Sequence, residues 1–142
     1  ADSLSTDTAA VFLEPIQGDC GVRIPPWVYL SSVQELCRAN GSLLVIDEIQ
    51  TGFCRTGHFF AVDSEGIRPD ILTMGKGIAG GLPFAALALS AGIAAGVQKG
   101  DHGGTYCGNP LMCAVSDAVI AFLIEQDVAA QVLSARRRDD AR

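Results

Sequence analysis

The stretch LLVIDEIQTG, Leu43 to Gly52, decides the fold. An apolar run, Leu43-Leu44-Val45-Ile46, goes straight into Asp47 and Glu48, and Gln50, Thr51 and Gly52 follow. A continuous apolar run of this length, with no polar alternation, reads as a strand buried on both faces, as in parallel sheets. Such a strand delivers its last residues to the carboxyl edge of the sheet, where open α/β folds bind their ligands. Asp47 and Glu48 are therefore the first candidate functional groups.

The rest of the chain fits around this strand. Residues 9–13 form a short apolar run stopped by Glu14-Pro15, a second buried strand. A glycine-bearing loop, 17–23, leads to Pro25-Pro26, which suit the first turn of a helix. Trp27, Leu30, Val33, Leu36 and Cys37 recur at helical spacing, and Asn40-Gly41 closes the helix as a C-terminal cap. The spacing predicts strands over 42–46, 71–74 and 83–90, and a short helix over 91–98. Residues 51–63 form a loop carrying Phe59-Phe60, and 101–108 form a polar, glycine-rich loop. Asn109-Pro110 starts a helix that runs to about Glu125 and is apolar nearly all round, so it should be buried. A last amphipathic helix begins near Asp127. This order gives an α/β layer architecture, and it sets Glu14, Asp47 with Glu48, and Lys76 at the ends of strands.

Composition excludes several classes. The chain has 142 residues, 49% hydrophobic and 18% charged, with a net charge of −6, which fits a globular core and offers no basic footprint for nucleic acid. Arg136–Arg138 are followed at once by acidic residues and read as a solvated helix end. The five cysteines, Cys20, Cys37, Cys54, Cys107 and Cys113, form no CxxC pair, so neither a zinc site nor a disulfide framework is expected, and reduced thiols in a cytoplasmic protein are. The N-terminus lacks the basic and apolar regions of a secretory signal. The uncharged stretch between Lys76 and Lys99 is broken by Gly77, Gly80, Gly81, Pro83, Gly92 and Gly96, which argues against a membrane span.

Asp47-Glu48 admits two chemical readings. In the first it is a Walker-B-like strand end of a nucleotide-triphosphatase, with Asp47 serving Mg²⁺ and Glu48 polarising water. That needs a GxxxxGK[ST] loop, yet beside the GK of Gly75-Lys76 stand Gly77 in the Ser/Thr place and Asp70 in place of the first glycine. In the second the site holds pyridoxal phosphate (PLP), which requires a lysine for its aldehyde and an acid beside its pyridine nitrogen. Asp47 and Lys76 supply these. Gly75 and Gly77 would leave room for the ring, and a low-dielectric pocket would help the amine lose its proton. Glu48 would then be structural, and His58 and His102 loop residues.

The blocks EPIQGDCG, LLVIDEIQTGFCRTGHFF, RPDILTMGKGIAGGLPFAAL and HGGTYCGNPLMCA, in this order over most of residues 11–115, resemble those of the class III (omega) aminotransferases. The resemblance implies the large domain of a fold-type I PLP-dependent transferase, an α/β domain with a mostly parallel sheet and flanking helices. It implies that Asp47 bonds the pyridine nitrogen, that Gln50 contacts the ring oxygen, and that Lys76 carries the Schiff base and shuttles the proton. Thr105 would reach the phosphate of a partner subunit's cofactor in a homodimer, and Glu14 would gate the substrate. The implied reaction moves an amino group from a donor such as acetylornithine or 4-aminobutyrate to a 2-oxo acid. Cys20 and Cys54 stand where the family usually has glycine and would narrow those turns. Family members are much longer, so residues 1–126 correspond to the central part of the large domain, and 127–142 to the start of a helix leading toward an absent small domain. A non-catalytic remnant is the third reading, one that would expose strand edges and apolar surface.

Overall fold

The computed structural model describes residues 4–140. The expectations for residues 1–3 at the N-terminus, and for 141–142 at the end of the last helix, lie outside them. A sheet in the order β1 (Ala10–Leu13), β2 (Leu43–Asp47), β3 (Ile71–Met74), β4 (Ala86–Leu89) carries the site. β1, β2 and β3 run parallel, with Leu13 beside Ile46 and Asp47 beside Thr73, and β4 returns antiparallel along β3. The carboxyl ends of three successive strands therefore share one edge, and Glu14, Asp47 and the Lys76 turn follow directly from them.

Alternation along each strand splits the sheet into two faces. Leu44, Ile46 and Leu72 point to the face covered by α1 (Tyr29–Asn40), where they pack with Leu30, Val33 and Cys37. Burying side chains such as Leu44 and Ile46 contributes about 1.5–3 kcal/mol each, which makes this cluster the centre of the core. The other face carries Val45, Asp47, Thr73, Phe12 and Leu87. There Phe12 is 62% and Leu87 47% exposed. β2 itself is buried on both faces, as expected of a parallel strand, since Val45 on this second face is only 7% exposed; the uncovered residues of that face lie on β1 and β4.

α1 begins a turn later than Pro25-Pro26 suggests. Val28 takes a left-handed backbone (φ 74°), so the helix starts after it and Trp27 is left exposed rather than packed. Its other end is as expected: Gly41, at φ 71°, closes the helix, and the Ser42 N–H donates to Cys37 O at 3.0 Å. The uncharged stretch after Lys76 becomes a 3₁₀ turn (Lys76–Ala79), β4 and the short α2 (Ala91–Ala94). Among the described residues, no helix is long and apolar enough to cross a membrane.

α3 (Pro110–Glu125) starts where Asn109 predicts, with its Oδ1 accepting from Leu111 N–H and Met112 N–H. It lies over the Lys76 turn, and Val115, Ile120 and Leu123 pack on Ile78 and Ala79. The expectation that it is buried all round is wrong for this chain. Only Ser116 is buried, while Leu111, Phe122 and Ile124 are largely exposed. Its hydrophobicity calls for cover that these residues do not supply. α4 (Val128–Asp140) packs back on the loop after β2: Leu133 lies so close to Gly57 that a Cβ there would come within 2.5 Å of it.

Candidate functional site

Asp47 ends β2, half-buried, and its Oδ1 accepts the Ile49 N–H at 2.9 Å. That bond turns the chain sharply away from the strand and fixes the carboxylate at the sheet edge. Opposite Asp47, on the same face, Thr73 holds a buried hydroxyl oxygen with no hydrogen-bond partner among the described residues.

Lys76 sits two residues past β3. Its φ of 43° lies in the left-handed region that a side chain rarely adopts, strain of the kind that collects at functional positions. Its Nζ donates to the Gln50 Oε1. Both side chains are exposed, so the low-dielectric enclosure expected around the amine is not built by residues 4–140. The neighbouring glycines also serve another purpose than the one expected. A Cβ at Gly75 would meet Ile49 at 3.3 Å, and one at Gly77 would meet Phe53 at 3.1 Å. The space they leave is taken by the chain's own 49–53 segment, which locks the Lys76 turn onto the loop after β2.

Glu14 stands at the end of β1, and its Oε2 accepts the Gly18 N–H at 3.1 Å. It also lines a cleft of about 200 Å³ with Gln17, Arg23 and Tyr29. Thr105 lies on the exposed loop after α2, apart from the hydrogen bonds and packing that join Lys76, Gln50, Gly18 and Glu14. His58 is half-buried in its loop and His102 is exposed.

Glu48 explains why two carboxylates stand side by side. It is fully buried, 0% exposed, on the far side of the strand from Asp47. Thr51 Oγ1 donates to its Oε2 at 2.5 Å and the Val62 N–H to its Oε1 at 2.9 Å. It thereby ties the 3₁₀ turn Ala61–Glu65 and the edge-to-face cluster of Phe53, Phe59 and Phe60 to the end of β2. A carboxylate used in this way is not free to polarise water, which removes the nucleotide-triphosphatase reading.

Burial pushes the Glu48 carboxyl pKa up, against hydrogen bonds from Thr51, Val62 and Ala61 that pull it down. Below the ordinary carboxylate range the group is protonated in folded and unfolded chains alike and costs nothing. As pH rises from there to the raised folded value, the unfolded chain ionises first, so folding loses stability. Glu48→Gln lacks this dependence. Its stability relative to the parent is expected to improve as pH rises through that window, as urea unfolding at stepped pH would record. A constant difference across the window would contradict the assignment.

The cysteine departures differ in consequence. Cys20 is exposed. Cys54 is buried at φ 67°, a conformation that favours glycine, and its thiol pKa is raised by burial while the Ala129 N–H at the start of α4 bonds to it and lowers it. A residue that the motifs alone do not single out is Gly18, whose only signal is its place in EPIQG.

This α/β sheet, with a lysine, a carboxylate and an amide at the carboxyl edge of its parallel strands, is the architecture of the aminotransferases it superposes on. The chain belongs to the class III aminotransferase family, whose sequence profile matches residues 2–138. It is 44% identical over 126 residues to the acetylornithine aminotransferase of Methanopyrus kandleri and 46% identical over 127 to the ornithine aminotransferase of Oceanobacillus iheyensis. Each alignment covers 89% of this chain and 32% of the relative. Among solved structures, the ornithine aminotransferase of Toxoplasma gondii, which has partial occupancy of PLP at its active site, superposes with a TM-score of 0.87 at 41% identity, over 94% of this chain and 32% of that one. The chain thus spans about a third of the length of these relatives. Class III aminotransferases are PLP enzymes, and the residues here fit that group: an amine that could take an aldehyde, a fixed carboxylate that could face a ring nitrogen, and beside it a hydroxyl with no partner among the described residues.

Proposed function

We propose that this chain is the cofactor-holding core of a PLP-dependent aminotransferase that moves an amino group from a donor such as acetylornithine or 4-aminobutyrate to a 2-oxo acid. The observation that carries the reading is Lys76 Nζ held by the Gln50 amide at the sheet edge where β2 delivers Asp47. The cofactor, when bound, supplies a ring that accepts the electron pair left when a substrate carbon loses its proton. In this reading Lys76 Nζ would hold the aldehyde until a substrate amine displaces it, and the amine so freed would take and return that proton. Asp47 keeps the ring nitrogen protonated, because a carboxylate and a cationic nitrogen stabilise each other when partly buried. The Gln50 amide orients the amine and contacts the ring oxygen, and Glu14 gates the substrate.

Residues 1–126 are the central part of the large domain, and 127–142 lead toward a small domain. Thr105 serves the site of a partner subunit in a cytoplasmic homodimer. The uncovered Phe12 and Leu87 on the second face of the sheet and the exposed side of α3 support a chain completed by further sequence. The exposed Lys76 favours one other reading, a piece that no longer catalyses. The test is amino transfer by the longest protein that the gene encodes, with acetylornithine and 4-aminobutyrate as donors and 2-oxoglutarate as acceptor. Transfer from either donor is the expected result, and no transfer from any amino donor would refute the reading.

A further inference from the structure

Gly18 is joined to the proposed cofactor lysine through a single side chain, that of Gln50. The Gly18 backbone is pinned from both sides: its N–H donates to Glu14 Oε2 at 3.1 Å, and its carbonyl oxygen accepts from Val22 N–H at 3.3 Å. The Gln17–Arg23 bridge, with N–H···O distances of 3.0 Å in both directions, closes the same turn. A Cβ at Gly18 would stand 2.6 Å from Gln50 Nε2 and 2.9 Å from its Cδ. The far end of Gln50 is in turn the group that accepts from Lys76 Nζ.

We infer that Gly18 is a positioning residue for Lys76: the turn held by Glu14 packs against the Gln50 amide and sets where that amide meets the amine. The physical argument is an asymmetry of stiffness. The Gly18 turn is hydrogen-bonded on both sides and cannot retreat cheaply, whereas Gln50 is exposed and has open rotamers. Any side chain at position 18 therefore resolves the clash by swinging Gln50 away, and the hydrogen bond that breaks is the one from Lys76. Glu14 acts through the same turn, so the carboxylate at the end of β1 is mechanically linked to the amine after β3. The consequence for chemistry at Lys76 rests on the cofactor reading above, while the packing of Gly18 on Gln50 does not.

One set of proteins separates the two. The cofactor-free 142-residue chain and its Gly18→Ala, Gln50→Ala and doubly substituted forms are treated with limiting acetic anhydride. Acetylation of Lys76 relative to Lys99 is then read by mass spectrometry, Lys99 serving as internal reference. An amine held by the Gln50 oxygen is less available to the reagent. Breaking one hydrogen bond of ordinary net strength corresponds to about a fivefold change, so both single variants should raise the ratio by about that factor. The double variant should rise no further, because the two changes break the same hydrogen bond. Urea midpoints of Gly18→Ala and its parent should nearly coincide, which a merely structural glycine would not allow. A Gly18→Ala ratio equal to the parent's, or a double variant that multiplies the two single effects, would overturn the inference. Capture of PLP by borohydride is scored on the same four proteins. Capture at Lys76 without any ratio shift overturns the positioning role alone. A shifted ratio with no capture in any form supports the positioning role and overturns the claim that this chain by itself holds the cofactor.

Discussion

Glu48→Ala is expected to cost the fold about 3–5 kcal/mol, a large part of what a domain of this size has to lose. The substitution strands the Val62 N–H and the Thr51 hydroxyl in the interior without their acceptor, and opens a hole where a fully buried side chain stood. The damage should also reach the site. The 3₁₀ turn at Ala61 and the loop carrying Phe53 depend on Glu48, and Phe53 packs against the glycine beside Lys76. Urea unfolding followed by far-ultraviolet circular dichroism measures this. Glu48→Gln, which keeps the shape and one acceptor oxygen, should recover much of the stability. A Glu48→Ala chain within about 1 kcal/mol of its parent would mean that the buried acceptor is not needed.

Asp47→Asn should leave the fold nearly intact and damage the chemistry. The asparagine oxygen can still accept the Ile49 N–H, so the turn after β2 survives. What disappears is the negative charge at the sheet edge. Removing a preorganised electrostatic group from a reacting centre typically lowers turnover about a hundredfold to a thousandfold. That drop is expected in the longest protein the gene encodes, in kcat for amino transfer, with a urea midpoint close to the parent's. Turnover within a few-fold of the parent would show that Asp47 holds no ring nitrogen. Comparing the two neighbours tests the division of labour between adjacent carboxylates: Glu48 for the fold, Asp47 for the site.

That division is partly legible in the residues themselves. Strand alternation alone sends Asp47 and Glu48 to opposite sides, and the apolar runs locate β1, β2 and β3 to within a residue or so of their observed ends. What a run of apolar residues reports is a demand for cover. It does not say whether the cover lies in the same chain, and for that reason α3 and the face bearing Phe12 and Leu87 are more exposed than their composition suggests. The start of α1 is misplaced by sequence because proline at a first turn is a local signal, and the left-handed Val28 two residues later overrides it. The glycines around Lys76 do mark a close approach, but not by the neighbour expected. A glycine announces that something comes near, and only coordinates reveal that Ile49 and Phe53 do so. Gly18 is silent in sequence for the same reason, since its partner Gln50 lies 32 residues away in the chain and no spacing rule links them.

The function proposed for this chain depends on its bringing one particular amine to a PLP site. The decisive experiment is to incubate the 142-residue chain with PLP, reduce with borohydride, and map the modified peptide by mass spectrometry with Lys76→Ala as control. Lys76 and Lys99 are the only lysines in the sequence, so the choice between them is clean. Modification should concentrate on Lys76, with none shifted to Lys99 in the alanine variant. Equal labelling of the two lysines, or none at all, would mean that this chain by itself does not single out Lys76 for the cofactor.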